Sequence, residues 1–232
     1  MQFDFPNEEG KPYKSSGGAM VYSEKLKRDI PNGWQVRSLE SLGSFKNGIN
    51  YSKDEVGNFD YRIVNVRNIS SSSLFIDTED LDDICLKSES ADNYLVGERD
   101  ILIARSGTPG ATRITQNDAE AIIYCGFIIC FSVNDLMLKP LLTYQLKGLE
   151  SVTRDQSNGS ILSNISQDVL KKLYAVVPST EVLKQFNRQI SSIWHKLDKT
   201  LVETSNLIKQ RDELLPLLMN GQVSLNSDLS AR

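Results

Sequence analysis

The sequence feature that most constrains this chain is a heptad pattern of apolar residues between positions 183 and 218. Eight of its eleven a and d positions carry large apolar side chains, and the register does not slip. An apolar repeat of ~3.5 residues is typical of two helices that wrap around each other. The sequence therefore predicts a long helix over residues 179–221 with a dimerisation seam formed by Leu183, Phe186, Ile190, Ile193, Leu197, Leu207, Leu214 and Leu218.

An alternative interpretation of the same segment is a long amphipathic helix that folds back onto its own domain. From Val182 to Leu215 the helix would span ~50 Å at ~1.5 Å per residue, which is longer than a compact domain of this size requires. This length favours pairing with a second helix. Pro216 lacks a backbone donor, so the helix is expected to kink or end there, with Gly221 as a suitable stop.

Short strand patterns joined by turns precede the helix. The predicted strands cover residues 34–39, 60–69, 101–104, 111–114 and 121–133, while residues 81–86 fit a strand or a short helix equally well. Because neighbouring strands are joined by turns, an antiparallel or mixed sheet is favoured over a βαβ arrangement. The predicted fold class is α+β, with an irregular segment (1–30), a sheet domain (31–178), the long helix (179–221) and a tail (222–232).

Composition limits the environment of the chain and its metal chemistry. No apolar run approaches ~18 residues, and the first ten residues lack the basic and hydrophobic regions of a signal peptide. We therefore expect a cytoplasmic protein without a membrane partner. Cys85, Cys125 and Cys130 include no CxxC pair, which indicates reduced thiols and no zinc site.

The charge distribution argues against a nucleic-acid ligand. The net charge is −4, and residues 31–178 contain nineteen acidic and fourteen basic side chains. Much of this excess lies between residues 77 and 83, a run that can occupy a face turned away from a polyanion. Electrostatics alone therefore do not predict DNA binding.

The groups that common catalytic sites require are missing from the sequence. His195 is the single histidine, so neither a His-based triad nor a multi-His metal site can form within one chain. The sequence contains no dinucleotide-binding glycine motif, no P-loop and no EF-hand loop. We expect a protein that is not an enzyme and that holds no metal or cofactor of its own.

The turn over residues 105–110, Arg-Ser-Gly-Thr-Pro-Gly, is the best candidate for touching a ligand. Its small residues allow the backbone to approach a phosphate or a base edge, and Arg105 can donate two hydrogen bonds to guanine or phosphate. The same residues would also serve as a plain hairpin connection. Other polar loop residues have the same ambiguity.

The C-terminal segment 188–225, RQISSIWHKLDKTLVETSNLIKQRDELLPLLMNGQVSL, resembles the distal conserved helix of specificity subunits from type I restriction–modification systems. Three further stretches fit the same family, namely residues 3–18 together with 30–36, residues 97–110 and residues 165–186. The pattern of the helix and of the segment that leads into it (165–186) is specific to the family, whereas the motifs in the middle of the chain are less specific.

In that family, a full subunit carries two target-recognition domains joined by two long antiparallel helices, and each domain reads half of a split DNA sequence. Methyltransferase subunits, which use S-adenosylmethionine, and a translocase–nuclease (restriction) subunit assemble with it, while the specificity subunit catalyses nothing. The resemblance therefore implies a target-recognition domain at residues 31–178, double-stranded DNA as the ligand and these subunits as partners.

This chain carries one such domain and one long helix, about half of the family pattern, and its opening resembles the piece that follows the first helix. The resemblance thus implies a C-terminal half-subunit. Two antiparallel copies would bury both seams, so we expect a homodimer that reads an inverted-repeat sequence. Pairing with a separate N-terminal half fits the seam equally well.

Recognition loops differ among family members, so the predicted DNA contacts rest on residue type and loop position. They are Lys46, Asn47, Asn50, Tyr51, Arg67, Asn68, Arg105, Ser106 and Arg113. An alternative function is that of an orphan half-subunit, which pairs with other specificity subunits and regulates them without reading DNA. Such a protein would need the seam but not the loops.

Overall fold

The computed structural model describes residues 3–7, 9–52, 57–87, 89–115, 121–156 and 164–221, so the predicted tail 222–232 lies outside the described residues. The chain divides into two compact units, Met1–Ile190 and Ser191–Arg232. The described strands are β1 (Met20–Ser23), β2 (Arg28–Pro31), β3 (Gln35–Ser38), β4 (Gly43–Asn47), β5 (Phe59–Val64), β6 (Asp82–Leu86), β7 (Asp100–Ala104), β8 (Thr112–Arg113), β9 (Ile122–Tyr124), β10 (Ile128–Val133) and β11 (Tyr174–Val177). The α-helices are α1 (Val66–Ser71), α2 (Lys139–Gln156), α3 (Gln167–Lys171) and α4 (Thr180–Met219).

The described strands of the first unit form four small sheets. Strand β10 is central to the largest, because it pairs antiparallel with both β4 and β7, and β8 extends the sheet beside β7. In a second sheet, β5 pairs antiparallel with β6 and parallel with β9. The pairs β1–β2 and β3–β11 are antiparallel. The mixed pairing, together with the helices, confirms the α+β prediction.

The main hydrophobic core joins the four-stranded and three-stranded sheets. Leu102 of β7 and Ile128 of β10 belong to one buried cluster with Ile63 of β5 and Ile123 of β9. Helix α2 packs against β7 and β8. Strands covered on both faces read as continuous apolar runs rather than alternating ones. Each side chain of this kind, when fully buried, contributes ~1.5–3 kcal/mol.

The structure differs from two of the predicted strands, and it decides the form of one ambiguous segment. The strand predicted over 60–69 stops before Asn65, whose backbone N–H donates to Asn68 Oδ1 (2.8 Å) at the start of α1. The strand predicted over 121–133 is divided by a turn at 125–127, which the Ile128 N–H closes by donating to Cys125 O (2.9 Å). Residues 81–86, which fitted two structures, contain strand β6.

The segment 1–30 is not irregular throughout, because it forms β1 and the start of β2. Its first residues are held by aromatic packing. The Phe5 ring stacks on Tyr13, with 4.6 Å between centroids, and on Trp34, with 4.9 Å. Phe3 is buried and meets Trp34 edge-on at 5.6 Å. Aromatic pairs contribute ~0.5–1.5 kcal/mol each beyond their burial, so these contacts tie the segment to the residue before β3.

Helix α4 begins against its own unit. Leu183 is buried, the Phe186 ring meets Tyr144 edge-on at 6.3 Å, and the Asn187 side chain donates to Met137 O (2.8 Å). The prediction that Leu183 lies in a seam with another helix is therefore wrong, because the first turn of the apolar stripe packs within the unit. Phe186 is partly covered in the same way.

Pro216 does not end α4, which continues to Met219. A proline inside a helix leaves one carbonyl without its donor, and the residues around Pro216 are exposed, so water can satisfy that carbonyl. The helix ends just before Gly221, the stop that the sequence predicts. Gly221 has a φ of 66°, and its N–H donates to Leu218 O (3.2 Å).

Arg113, which was predicted to contact DNA, is buried within the fold. Its guanidinium donates to both carboxylate oxygens of Glu150 (2.9 and 3.3 Å) and to Ser72 O (2.6 Å), and 4% of its side chain is exposed. The prediction is wrong because β8 packs against α2, which places Glu150 beside Arg113.

Replacing Arg113 by Ala leaves the Glu150 carboxylate buried without its bidentate partner. We expect R113A to lower the free energy of unfolding by ~3–5 kcal/mol, whereas the double variant R113M/E150L removes both charges and loses much less. Urea denaturation followed by circular dichroism measures both. A loss below about 1 kcal/mol in R113A would contradict the assignment of this pair as a buried structural contact.

Candidate nucleic-acid interface

Three connecting segments meet at one end of the four-stranded sheet. Strand β4 ends at Asn47, β7 ends at Ala104 and β10 begins at Ile128. In the antiparallel register, Asn47 lies opposite Ile129 and Ala104 lies opposite Ile128, so the three strand ends coincide. We call the surface formed by residues 47–51, 105–108 and 125–127 the loop surface.

Backbone hydrogen bonds join the three segments of the loop surface to each other. The Gly126 N–H donates to Ile49 O (2.7 Å), and the Arg105 N–H donates to Phe127 O (2.8 Å). The Cys125 N–H donates to Val64 O (3.0 Å), which attaches the turn to β5 as well. The positions of side chains on this surface are therefore set by the sheet rather than by independent loops.

Two asparagines project from the first segment of the loop surface. Asn47 and Asn50 are both exposed, and a carboxamide presents a donor and an acceptor side by side. The Asn50 side chain lies against Gly126, where an added Cβ would be 2.1 Å from Asn50 Oδ1. Tyr51 is half-buried, and its hydroxyl donates to Asn65 Oδ1 (3.2 Å). The structure thus brings these three predicted residues together.

Arg105 lies on the second segment of the loop surface and is partly exposed. Its Nε donates to Asn164 Oδ1 (3.1 Å), and its carbonyl accepts from the Ile165 N–H (2.8 Å). Among the residues that the structure describes, the two terminal guanidinium nitrogens have no hydrogen-bond partner. The neighbouring Ser106 is partly buried. The charge of Arg105 is thus anchored at one nitrogen and available at the other two.

Phe127 was missed in the sequence, although 63% of it is exposed on the loop surface. The apolar run AIIYCGFIICFSV (121–133) is predicted as one long strand, so the sequence does not single out Phe127 as a turn residue. The signal that could have revealed the turn was Gly126 in the middle of the run, because glycine inside a strand pattern often marks a bend or a close backbone approach.

Lys46 and Arg67 both have partners for their charges. The Lys46 ammonium donates to Asn93 O and lies 4.5 Å from the Tyr94 ring centroid. The Arg67 guanidinium donates to Asp80 Oδ1 and to Asp82 Oδ1, both at 2.8 Å. The hydrogen bond to Asp80 and, to a smaller extent, the one to Asp82 raise the pKa of Arg67. The two carboxylates also neutralise its charge. Arg67 therefore adds little positive potential to the surface.

Asn68 is wrong as a predicted DNA contact, because it is buried. Its Oδ1 accepts from the Asn65 N–H at the start of α1, and its Nδ2 donates to Asp80 O (2.8 Å) and Asp80 Oδ2 (3.1 Å). The amide thus holds α1 to the acidic run 77–83. That run consequently lies beside α1 and pairs with Arg67.

Three further properties of the described residues concern metal binding, membrane insertion and thiol reactivity. They contain no group of three or more His, Cys, Asp or Glu that could hold a metal ion, and none of their helices is long and apolar enough to cross a membrane. Burial raises the pKa of Cys130 to about 12 and also raises that of Cys125, so both remain thiols at neutral pH. His195 is exposed on α4.

The second unit carries a row of exposed apolar side chains on α4. Five of the predicted seam residues fall here, and we call them the helix seam: Ile193 (49% exposed), Leu197 (41%), Leu207 (58%), Leu214 (49%) and Leu218 (37%). Ile190, at the end of the first unit, is half-exposed. Exposed apolar residues arranged in one helical register are typical of a surface that another helix covers.

Comparison with known proteins gives consistent matches over most of the chain. A model of the type I restriction modification DNA specificity domain matches residues 31–212. The type I restriction enzyme HindI specificity subunit of Haemophilus influenzae is 23% identical, over 84% of this chain and 42% of that protein. The MjaIX specificity subunit of Methanocaldococcus jannaschii is 22% identical, over 92% and 49% respectively.

A solved structure has the same fold. The crystal structure of a type I restriction–modification S subunit from M. genitalium superimposes with a TM-score of 0.54 at 18% identity, over 84% of this chain and 48% of that one. The chain thus spans just under half the length of the relatives that it matches. Since the family model covers the loop surface and most of α4, the chain belongs to the type I restriction modification DNA specificity domain family.

Proposed function

We propose that this chain is a non-catalytic specificity subunit that reads half of a bipartite DNA sequence in a type I restriction–modification system. The observation that carries the proposal is the loop surface, where Asn47 and Asn50 lie on one segment, Arg105 lies on another, and the turn 125–127 is joined to both by backbone hydrogen bonds. Asparagine can bind adenine through two hydrogen bonds, and arginine can bind guanine in the same way. These groups suit the reading of base edges.

The charge of the chain explains why partners are part of the proposal. The net charge is −4, and Arg67 on α1 is neutralised by Asp80 and Asp82. Phosphate contacts by Lys and Arg supply most of the non-specific affinity for DNA, and in this chain the 26 basic residues are outnumbered by 30 acidic ones. Methyltransferase subunits, which would carry S-adenosylmethionine, and a restriction subunit supply the remaining affinity and the chemistry in a cytoplasmic complex.

The helix seam supports a homodimer. An isolated helix obtains most of its stability from packing of its apolar face, and the described part of the second unit has its apolar residues exposed. Two copies related by a two-fold axis would cover both seams and present two identical loop surfaces. The target is then an inverted repeat with a fixed spacer. A hetero-pair with a separate half-subunit would instead read two unrelated half-sites.

A second function, regulation by pairing with other specificity subunits, is favoured by one observation. The helix seam is a complete surface within the second unit and does not depend on the loop surface in the first. A protein of that kind would act through the seam alone. Changes on the loop surface would leave its effect unaltered, which separates the two functions experimentally.

The seam predicts the effect of a single charge on α4. Replacing Leu197 by Asp places a carboxylate in both copies of the seam, so we expect dimer affinity to fall by ~10²- to 10⁴-fold, the equivalent of losing two buried leucines. Val202 is the matched control, because it is an exposed apolar residue on the same helix outside the a and d register. Light scattering over a concentration series would show L197D as a monomer and V202D as a dimer. Equal behaviour of the two variants would contradict the seam.

The loop surface predicts a loss of discrimination at one base pair. In a complex reconstituted with methyltransferase subunits, Arg105→Ala should cost ~1–3 kcal/mol on the preferred duplex and relax selectivity at a single G·C position. Arg37→Ala is the control, since Arg37 is exposed on β3, in another sheet. Competition binding with single-base variants measures both. An equal loss on all duplexes would make Arg105 a phosphate contact, and no loss would favour the regulatory function.

A further inference from the structure

We propose that Phe127 is a specificity-determining residue that contacts the C5-methyl group of a thymine in the DNA half-site. This inference rests on the proposed function and adds an apolar reader to the polar residues of the loop surface. It assigns a chemical role to a side chain whose exposure the fold itself does not explain.

The Phe127 ring is exposed although the chain on both sides of it is buried. Phe127 is 63% exposed, whereas Cys125 is 4% and Ile128 is 0% exposed. Burying a phenylalanine would stabilise the fold, and this ring remains largely outside the core. A large apolar side chain held at a turn is therefore better suited to a contact outside the chain than to the core.

The turn that carries Phe127 is fixed on both sides. Its carbonyl accepts from the Arg105 N–H (2.8 Å), and the Gly126 N–H before it donates to Ile49 O (2.7 Å). A residue with a side chain at 126 would displace Asn50, because its Cβ would lie 2.1 Å from Asn50 Oδ1. Glycine at this position thus allows the Asn50 amide to lie against the turn that carries Phe127. Fixing the backbone in advance lowers the entropy cost of binding.

The neighbours of Phe127 indicate which part of DNA it meets. Asn50 and Arg105 are suited to the hydrogen-bonding edges of adenine and guanine, and Phe127 lies on the turn whose backbone is bonded to the segments of both, so the exposed ring on the same surface faces the edges of base pairs. In the major groove, the thymine C5-methyl is the apolar group that a base pair presents, and Phe is among the side chains that contact it. Insertion of the ring between bases is the competing mode.

The test compares the sequences that reconstituted complexes select from a random duplex library. The complexes contain methyltransferase subunits with wild-type chain, F127A or F127L, and each selection is repeated with a library in which deoxyuridine replaces thymidine. We expect the wild type to prefer T at one position, F127A to lose that preference by about 3- to 10-fold and F127L to keep part of it. The wild type should lose the same preference on the uracil library, because uracil lacks the methyl group.

The control variant is Tyr22→Ala, which removes an aromatic side chain of similar exposure (61%) from β1. It should select the wild-type motif on both libraries. A motif unchanged in F127A overturns the inference while leaving the proposed function intact. Loss of preference in F127A with no effect of uracil also overturns it, because the ring then stacks between bases. A wild-type complex that selects no motif would reject the proposed function itself.

Discussion

Antiparallel pairing of β10 with both β4 and β7 is the interaction on which the proposed DNA surface depends. The pairing brings Asn47, Arg105 and Phe127 from three distant stretches of the chain to one end of the sheet. A shift of one residue in the register would displace these strand ends relative to each other, and buried side chains such as Ile128 would have to repack against different neighbours. The hydrophobic core that fixes the register therefore also fixes the loop surface.

Helix α4 extends over both units, and its apolar residues are buried or partly buried in the first and largely exposed in the second. Within the first, the beginning of α4 is anchored by Leu183 and by the Asn187–Met137 hydrogen bond. Within the second, the same heptad pattern continues through residues that the chain leaves exposed, such as Leu207. One apolar stripe thus packs within the first unit at its start, whereas pairing of its remaining, exposed length with another helix stays a prediction.

Features with a local cause were predictable from the sequence. The period of α4 and its end near Gly221 follow from neighbouring residues, and α3 is likewise capped locally by Ser166, whose hydroxyl accepts from the Val169 N–H (3.3 Å). Arg113 and Asn68 could not be placed in the same way, because Glu150 and Asp80, which bind them, lie 37 and 12 residues away. Residue type marks a side chain that can bind DNA, but tertiary partners decide whether it is accessible.

DNA must meet the loop surface if the chain reads a half-site there, and ultraviolet cross-linking tests this contact most directly. The complex with methyltransferase subunits is bound to a duplex that it selects, irradiated, digested and analysed by mass spectrometry. We expect the cross-linked peptides of this chain to contain residues 47–51, 105–108 or 125–127. Cross-links confined to the acidic run 77–83 or to α4 would contradict this proposal, because DNA would then contact the chain outside the loop surface.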